Sequence, residues 1–302
     1  SAADTYRLPD HTGLYGGFAG DETARNQADP WGHPTWLTGG GPADTHVYHV
    51  VTAYNTSDAT LHGLILSGGS ALGTSVDGLG GGLLVIKSRL HVEDCLFQGN
   101  EAKYGGGMFV TESEVTVVGS RFGGNQATDT LNSTYTHGGA ISAEQSTLRV
   151  ERTSFFANEA EALGSGGACR FEDSDATFED VVFHRNAAAR YGGAIFADSD
   201  SEVHVRNGIF VGNLAQRGGA LRVLGPWSLA GGLVVGNIAE TEGGGIYSAN
   251  EGELVNVTVA ENELTSSSAS GAGLYAHGAV TPKPVTVMNC IFSGNRDGGG
   301  NS

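Results

Sequence analysis

Phe183-His184-Arg185-Asn186, Gly192-Gly193-Ala194-Ile195, Phe210-Val211-Gly212-Asn213 and Gly218-Gly219-Ala220-Leu221 follow one another in the chain, and their alternation decides the fold. A Phe-x-x-Asn motif and a Gly-Gly-apolar-apolar motif take turns, and both recur far beyond this stretch. The glycine motif occupies residues 81–84, 106–109, 138–141, 166–169, 192–195, 218–221 and 244–247, with an alanine-led copy at 272–275. Its second glycines stand 25 to 32 residues apart. The other motif ends on Asn100, Asn125, Asn158, Asn186, Asn213 and Asn295, with valine-led copies ending on Asn237 and Asn262. Repeats of this length mark a solenoid, in which each unit buries its apolar face only against its neighbours.

Aligning the units on the asparagine exposes their internal pattern. Eight positions earlier stand Val92, Val117, Val150, Phe178, Val205, Leu229, Leu254 and Val287; ten earlier stand Leu90, Val115, Leu148, Ala176, Val203, Trp227, Gly252 and Val285. A period of two means a strand with one buried face. Six positions earlier lies a polar column, from Asp94 and Gly119 through Asn256 and Asn289, which reads as a bend. The phenylalanines three before each asparagine point inward again. The expected fold is therefore an all-β, right-handed parallel β-helix of roughly ten coils with three short strands each, a single domain over residues 1–302. Residues 1–80 read as less regular N-terminal coils with a projecting loop at 21–32, and residues 81–302 as the regular stack. The asparagines, one coil apart, are expected to form a structural ladder of side-chain amides bonded to one another and to backbone groups left over at the bends. The paired glycines suit positive φ or close backbone approach at a corner.

Composition agrees. Glycine takes 49 of 302 positions and charged residues only 16%, with a formal charge of −17. That balance argues against nucleic acid and anionic membranes as partners, since both need a basic face. No apolar run is long enough for membrane insertion and no signal-peptide pattern opens the sequence. The three cysteines form no disulfide framework. Cys95 and Cys290 occupy the same place in their repeats, as small residues stacking in a core, and no Cys or His partner stands at metal-ligand spacing.

The alternation of Gly-Gly-Ala-Ile with Phe-x-x-Asn resembles the repeats of chlamydial polymorphic outer-membrane proteins and, more widely, of right-handed β-helix repeat proteins on bacterial cell surfaces. Tyr-Gly-Gly-Phe-Ala-Gly-x-Glu-Thr at 15–23 is similar to the start of the helix in secreted members of that group. The resemblance covers nearly the whole sequence. It implies an exported protein, secreted or on the cell surface, with adhesion as its role, and it brings no catalytic site. The autotransporter barrel of the chlamydial proteins has no counterpart here.

Three groups of residues are candidates for function. The position after each inward residue of the glycine strand should face out, giving a file of Ser142, Arg170, Phe196, Arg222 and Ser248. Two guanidiniums around an aromatic ring could hold a carboxylated sugar or a protein acid; the alternative is solvated arginine. An acidic column follows at the next bend, from Glu112, Glu114, Glu144 and Glu172 through Asp173, Asp175, Asp198, Asp200 and Glu202 to Glu251 and Glu253. Stacked like charges repel, and calcium would relieve them, with Asp173, Asp175, Asp198 and Asp200 as ligands; a solvated acidic ridge is the alternative. Loops between each asparagine and the next glycines, long at 126–137 and 263–271, form the third group. Tyr104 and Tyr191 stand there, each after a basic residue, Lys103 and Arg190.

No cofactor is required by any of these patterns. Two classes of function compete. A structural or adhesive solenoid needs only the repeats; without evident capping helices it would stack end to end with itself into a fibre or stalk, or bind a protein or glycan of a neighbouring surface. A polysaccharide-binding or polysaccharide-cleaving β-helix would need paired carboxylates or a base converging on a groove. The carboxylates here recur coil by coil, as turn residues do, so the structural class is expected and an enzyme is not.

Overall fold

A computed structural model describes residues 5–40, 46–129, 135–277 and 284–298. One turn shows how the chain winds. Met108–Thr111 lies in a first sheet, Glu114–Val118 and Arg121–Gly123 lie in a second, and Gln126–Ala127 in a third. Each strand pairs in parallel with its counterparts one repeat before and after, as Met108 with Leu83 and Ile141, or Phe122 with Phe97 and Phe155. The result is a parallel β-helix with, among the described residues, ten strands in the first sheet, seventeen in the second and eight in the third. Strands of the third sheet close a turn, so the expected ten coils become about eight complete ones between partial coils.

Corners explain the strand lengths. Glu112 (φ 49°), Gly119 (φ 60°) and Gly124 (φ 60°) each take the left-handed conformation, which breaks a strand and turns it. The polar column six before the asparagine does so at every coil, from Asp94 (φ 50°) to Asn289 (φ 52°), so the bend read from its composition is real. It divides the second sheet into two limbs, giving four strand segments per turn where three were expected. The limbs merge in Glu202–Val211, Trp227–Val235 and Gly252–Ala260.

The core is a set of files along the axis. Phe97, Phe122, Phe155, Phe183 and Phe210 are fully buried, and successive rings stack with centroids 4.5, 5.1, 4.6 and 4.9 Å apart. The inward file of the third sheet is mostly alanine, and Ala127, Ala160, Ala188 and Ala215 pack as a separate cluster there, while Leu264 continues the file at its C-terminal end. Beside the phenylalanines runs the amide ladder. Asn125 Nδ2 donates to Asn158 Oδ1 (2.9 Å) and to the Phe97 carbonyl (2.9 Å), while Asn158 Oδ1 also accepts from the Asn125 backbone N–H (3.1 Å). The pattern runs from Asn100 to Asn295, so interior amides use both protons and both lone pairs.

Two further ladders were not anticipated. Ser88, Ser113, Ser146, Ser174 and Ser201 lie twelve before their asparagines; each hydroxyl accepts a backbone N–H from the previous coil, Thr56 for Ser88 and the preceding serine for the others, as Ser113 N–H to Ser146 Oγ at 3.1 Å. Cys95 shares the next corner with Ser120 and Thr153 and its thiol donates to the Glu93 carbonyl, as a hydroxyl would; Cys290 does the same toward Met288.

The N-terminal segment forms a partial coil: Tyr6–Arg7, Gly13–Tyr15 and Thr35–Thr38 pair with the next turn. The loop at 21–32 is exposed at 21 and 23–27 and is docked at its end. Pro30 is buried on Gly63, where no Cβ would fit, and Trp31 reaches Arg121, whose guanidinium lies 4.1 Å from its ring. The end of the loop thus lies against the outside of the second sheet. Of the 126–137 loop, residues 130–134 lie outside the described residues, as do Gly299 and Gly300 of the expected next glycine strand.

Candidate functional site

The outward file of the first sheet is Leu84, Phe109, Ser142, Arg170, Phe196, Arg222, Tyr247 and Tyr275. Tyr247 therefore stands where Ser248 was expected, and Ser248 belongs to the inward file, opposite Val223. Register is keyed on the glycine with positive φ: Gly80, Gly105, Gly138, Gly166, Gly192, Gly218, Gly243 and Gly271. Where three glycines run together, as at 243–245, sequence alone does not say which one turns.

Just before those glycines a second file runs through Tyr104, His137, Ser165, Tyr191 and Arg217. Side chains of the two files meet over the sheet and form a ridge. Arg222 is its centre: its Cζ lies 3.9 Å from the Tyr191 ring, 4.9 Å from Tyr247 and 5.5 Å from Phe196. Arg190 approaches the same tyrosine, at 4.7 Å from the ring, and donates to its hydroxyl at 2.8 Å. Candidates separated in the sequence reading, Tyr191 and Arg222, are thus one cluster. Among the described residues neither Arg190 nor Arg222 forms an ion pair, whereas Arg170 and Arg217 do. Arg222 Nε is buried without a hydrogen-bond partner. Burial lowers the Arg222 pKa while the tyrosines beside it hold it up, and an arginine so placed stays charged.

The other members fare differently. Phe196 is 9% exposed beneath Tyr191 (centroids 6.0 Å apart), so it props the cluster and does not face a ligand. Arg170 is 8% exposed and held by Glu172 and, at 3.5 Å, by Glu144, so its charge is already answered. Tyr104 sits three coils from Tyr191, roughly 14 Å along the axis, and tilts against His137 with centroids 5.4 Å apart. Burial, reinforced by Arg170, drives the His137 pKa down to about 3, leaving a neutral ring.

The acidic column divides around the serine corner. Glu144 and Glu172 end first-sheet strands, while Glu114, Asp175 and Glu202 start the second-sheet limb. With Lys87, Arg89, Glu112, Asp173 and Asp200 some of them line a shallow groove of about 740 Å³. Its repulsion is relieved at one end by Lys87–Glu112 (3.5 Å) and Arg89–Glu114 (2.9 Å). Among the described residues no three His, Cys, Asp or Glu converge as a metal site. Asp198, one of the four expected calcium ligands, instead accepts from Ser201 Oγ (2.7 Å) and the Asp200 N–H (3.2 Å), which fixes its turn.

The stacked, parallel coils have their counterpart among known families: the right-handed β-helix region matches residues 49–224, more than half of the sequence. The chain belongs to the right-handed β-helix family. No curated protein and no solved structure gives a significant match to it. Membership fixes the hand of this β-helix and not its chemistry, which has to come from a site.

One arrangement of catalytic appearance was missed in the sequence of this β-helix protein. His204 lies between Ser228 (Oγ to Nδ1, 2.7 Å) and Glu202 (Oε1 to Nε2, 2.9 Å) on the outside of the second sheet. The register that pairs His204 with Ser228 would have been needed to see it. Acyl transfer also requires donors aimed at a developing oxyanion, and the strands bearing Glu202, His204 and Ser228 are paired in parallel ladders on both sides. The string is a surface hydrogen-bond chain. Cys95 and Cys169 are poor nucleophiles: burial lifts the Cys95 thiol to about 12 and Cys169 well above its ordinary value.

Proposed function

We propose that this β-helix is a secreted or cell-surface structural protein that adheres to a neighbouring surface through the ridge of its first sheet, with a carboxylated glycan as ligand. One observation carries the reading: in a chain of net charge −17, Arg190 and Arg222 converge on Tyr191 and neither has an acidic partner among the described residues. Guanidiniums prefer a planar carboxylate in a two-pronged contact, and the Tyr191 ring they share holds the pair together. The rigid stack of coils presents that cluster without having to order it on binding. The likeness of the repeats to those of bacterial surface proteins supports the location.

The test is retention on immobilised polyuronate compared with a neutral glucan. Native protein should bind the polyuronate, more weakly as salt is raised. Arg222→Ala and Arg190→Ala should each weaken it about tenfold, the loss of a charge-assisted contact of roughly 1.5 kcal/mol. Equal retention on neutral glucan, or an unaffected Arg222→Ala variant, overturns the reading. Release of unsaturated uronate or reducing ends would put polysaccharide cleavage in its place.

A further inference from the structure

The outside of the second limb of the second sheet is unlike every other face of the rod. Its strands present two outward files, and from Ile65 and Ser67 to Ile291 and Ser293 neither contains an aspartate or glutamate. Arg121 and His184 are their only ionisable members, in a chain carrying 33 acidic residues. The C-terminal half is largely apolar: Val182, Ile209, Leu233 and Ile291 follow one another in one file, interrupted by Thr258. Val211, Val235 and Ala260 flank them in the other. These side chains are outside the core and reach water: Leu233 is 40% exposed and Val182 37%. Monomers seldom leave so continuous an apolar strip uncovered.

At its other end the strip is covered by the chain itself. The 21–32 loop lies there, with Pro30 on Gly63 and Trp31 under the Arg121 guanidinium, and Ile65 is reduced to 7% exposure. The cover stops near the Arg121 coil.

We infer that the uncovered half, centred on Ile209 and Leu233, docks the same half of a second copy, side by side and with the two axes antiparallel. Three features select that occupant. A second copy carries the same −17 charge, so approach is least opposed where the face has no carboxylates. Both copies have the same coil spacing, so their rows of side chains interdigitate along the whole contact. A two-fold axis across the strip is self-complementary and closes on itself, and it leaves both 21–32 loops outside the contact. Six strands at about 4.8 Å by about 15 Å of width give roughly 430 Å² per copy. Doubled, that sits at the lower edge of specific interfaces, so the dimer is reversible. This surface is separate from the ridge and does not depend on what the ridge binds.

Sedimentation velocity of the full chain, up to about 500 μM, is the test. Native protein should pass from monomer to dimer and stop there. Leu233→Asp should abolish the dimer, and the milder Leu233→Thr, which keeps a strand-forming residue, should weaken it at least several-fold. Thr177→Asp, outward on the first limb of the same sheet, should leave it unchanged. Circular dichroism of each variant verifies the fold. Native protein that stays monomeric, or growth beyond dimer that ignores Leu233→Asp, overturns the inference; the latter result would indicate end-to-end stacking.

Discussion

Phe155→Ala should lower the stability of the solenoid by about 3–5 kcal/mol, the range for deleting a buried phenylalanine. The ring is fully buried and lies between Phe122 and Phe183 at 5.1 and 4.6 Å, with Phe178 edge-on at 6.5 Å. Its loss removes two stacking contacts as well as apolar area, and such contacts add about 0.5–1.5 kcal/mol each. The backbone cannot collapse into the void, because Phe155 is tied by strand pairing to the coils on both sides. Phe156→Ala is the control: the neighbouring ring points outward and is 40% exposed, so its removal should cost well under 1 kcal/mol. Urea unfolding of the two variants decides between them, and equal losses would mean that the interior file is wrongly placed.

Asn158→Ala should be nearly as damaging, for a different reason. The amide makes four hydrogen bonds and no water reaches it. Without it, the Asn125 backbone N–H and one Asn125 Nδ2 proton lose their acceptor, and the Phe122 carbonyl and Asn186 Oδ1 each lose a donor. Each buried group left unsatisfied costs about 1–3 kcal/mol, and a ladder of amides is worth more than its separate pairs. A loss of about 3–5 kcal/mol is expected, with early amide exchange at Asn125. Asn207→Ala, an exposed asparagine with a single side-chain bond to Asp180, should be mild apart from the strain of its positive φ. Thermal unfolding and exchange at single-residue resolution provide the comparison; if Asn158→Ala behaves like a surface change, the ladder carries no stability.

The difference between what could be read and what could not is physical. The core files were legible because burial forces one residue type to recur: Phe122, Phe155 and Phe183, or Val92, Val117 and Val150, pair in the register their spacing from the asparagine implies. The first sheet was misread by one residue in part of its length, since any of three adjacent glycines can adopt positive φ and only the strand pairing selects one. That slip is why Tyr247 was missed and Ser248 put in its place. Exposure was harder still. Phe196 reads as a contact surface, but Tyr191, five places earlier on the neighbouring file, lies over it. The serine ladder stands at a constant twelve residues before Asn100, Asn125, Asn158, Asn186 and Asn213, but serine is common in any turn, so the spacing alone does not distinguish a ladder from solvated corners. The His204–Ser228 contact needed two coils in register before it could exist at all.

Everything rests on successive turns lying in this register. Thr116 and Arg149 face outward in adjacent coils and are direct partners, whereas Glu151 is two places further along the same strand. Cysteines at 116 and 149 would have Cα atoms about 5 Å apart, within disulfide reach, and cysteines at 116 and 151 about 8 Å, beyond it. Mild oxidation of the folded protein should therefore close Thr116→Cys with Arg149→Cys almost completely and leave Thr116→Cys with Glu151→Cys open. Equal closure of both pairs, or closure of the second alone, would contradict the stacked coils and the faces derived from them.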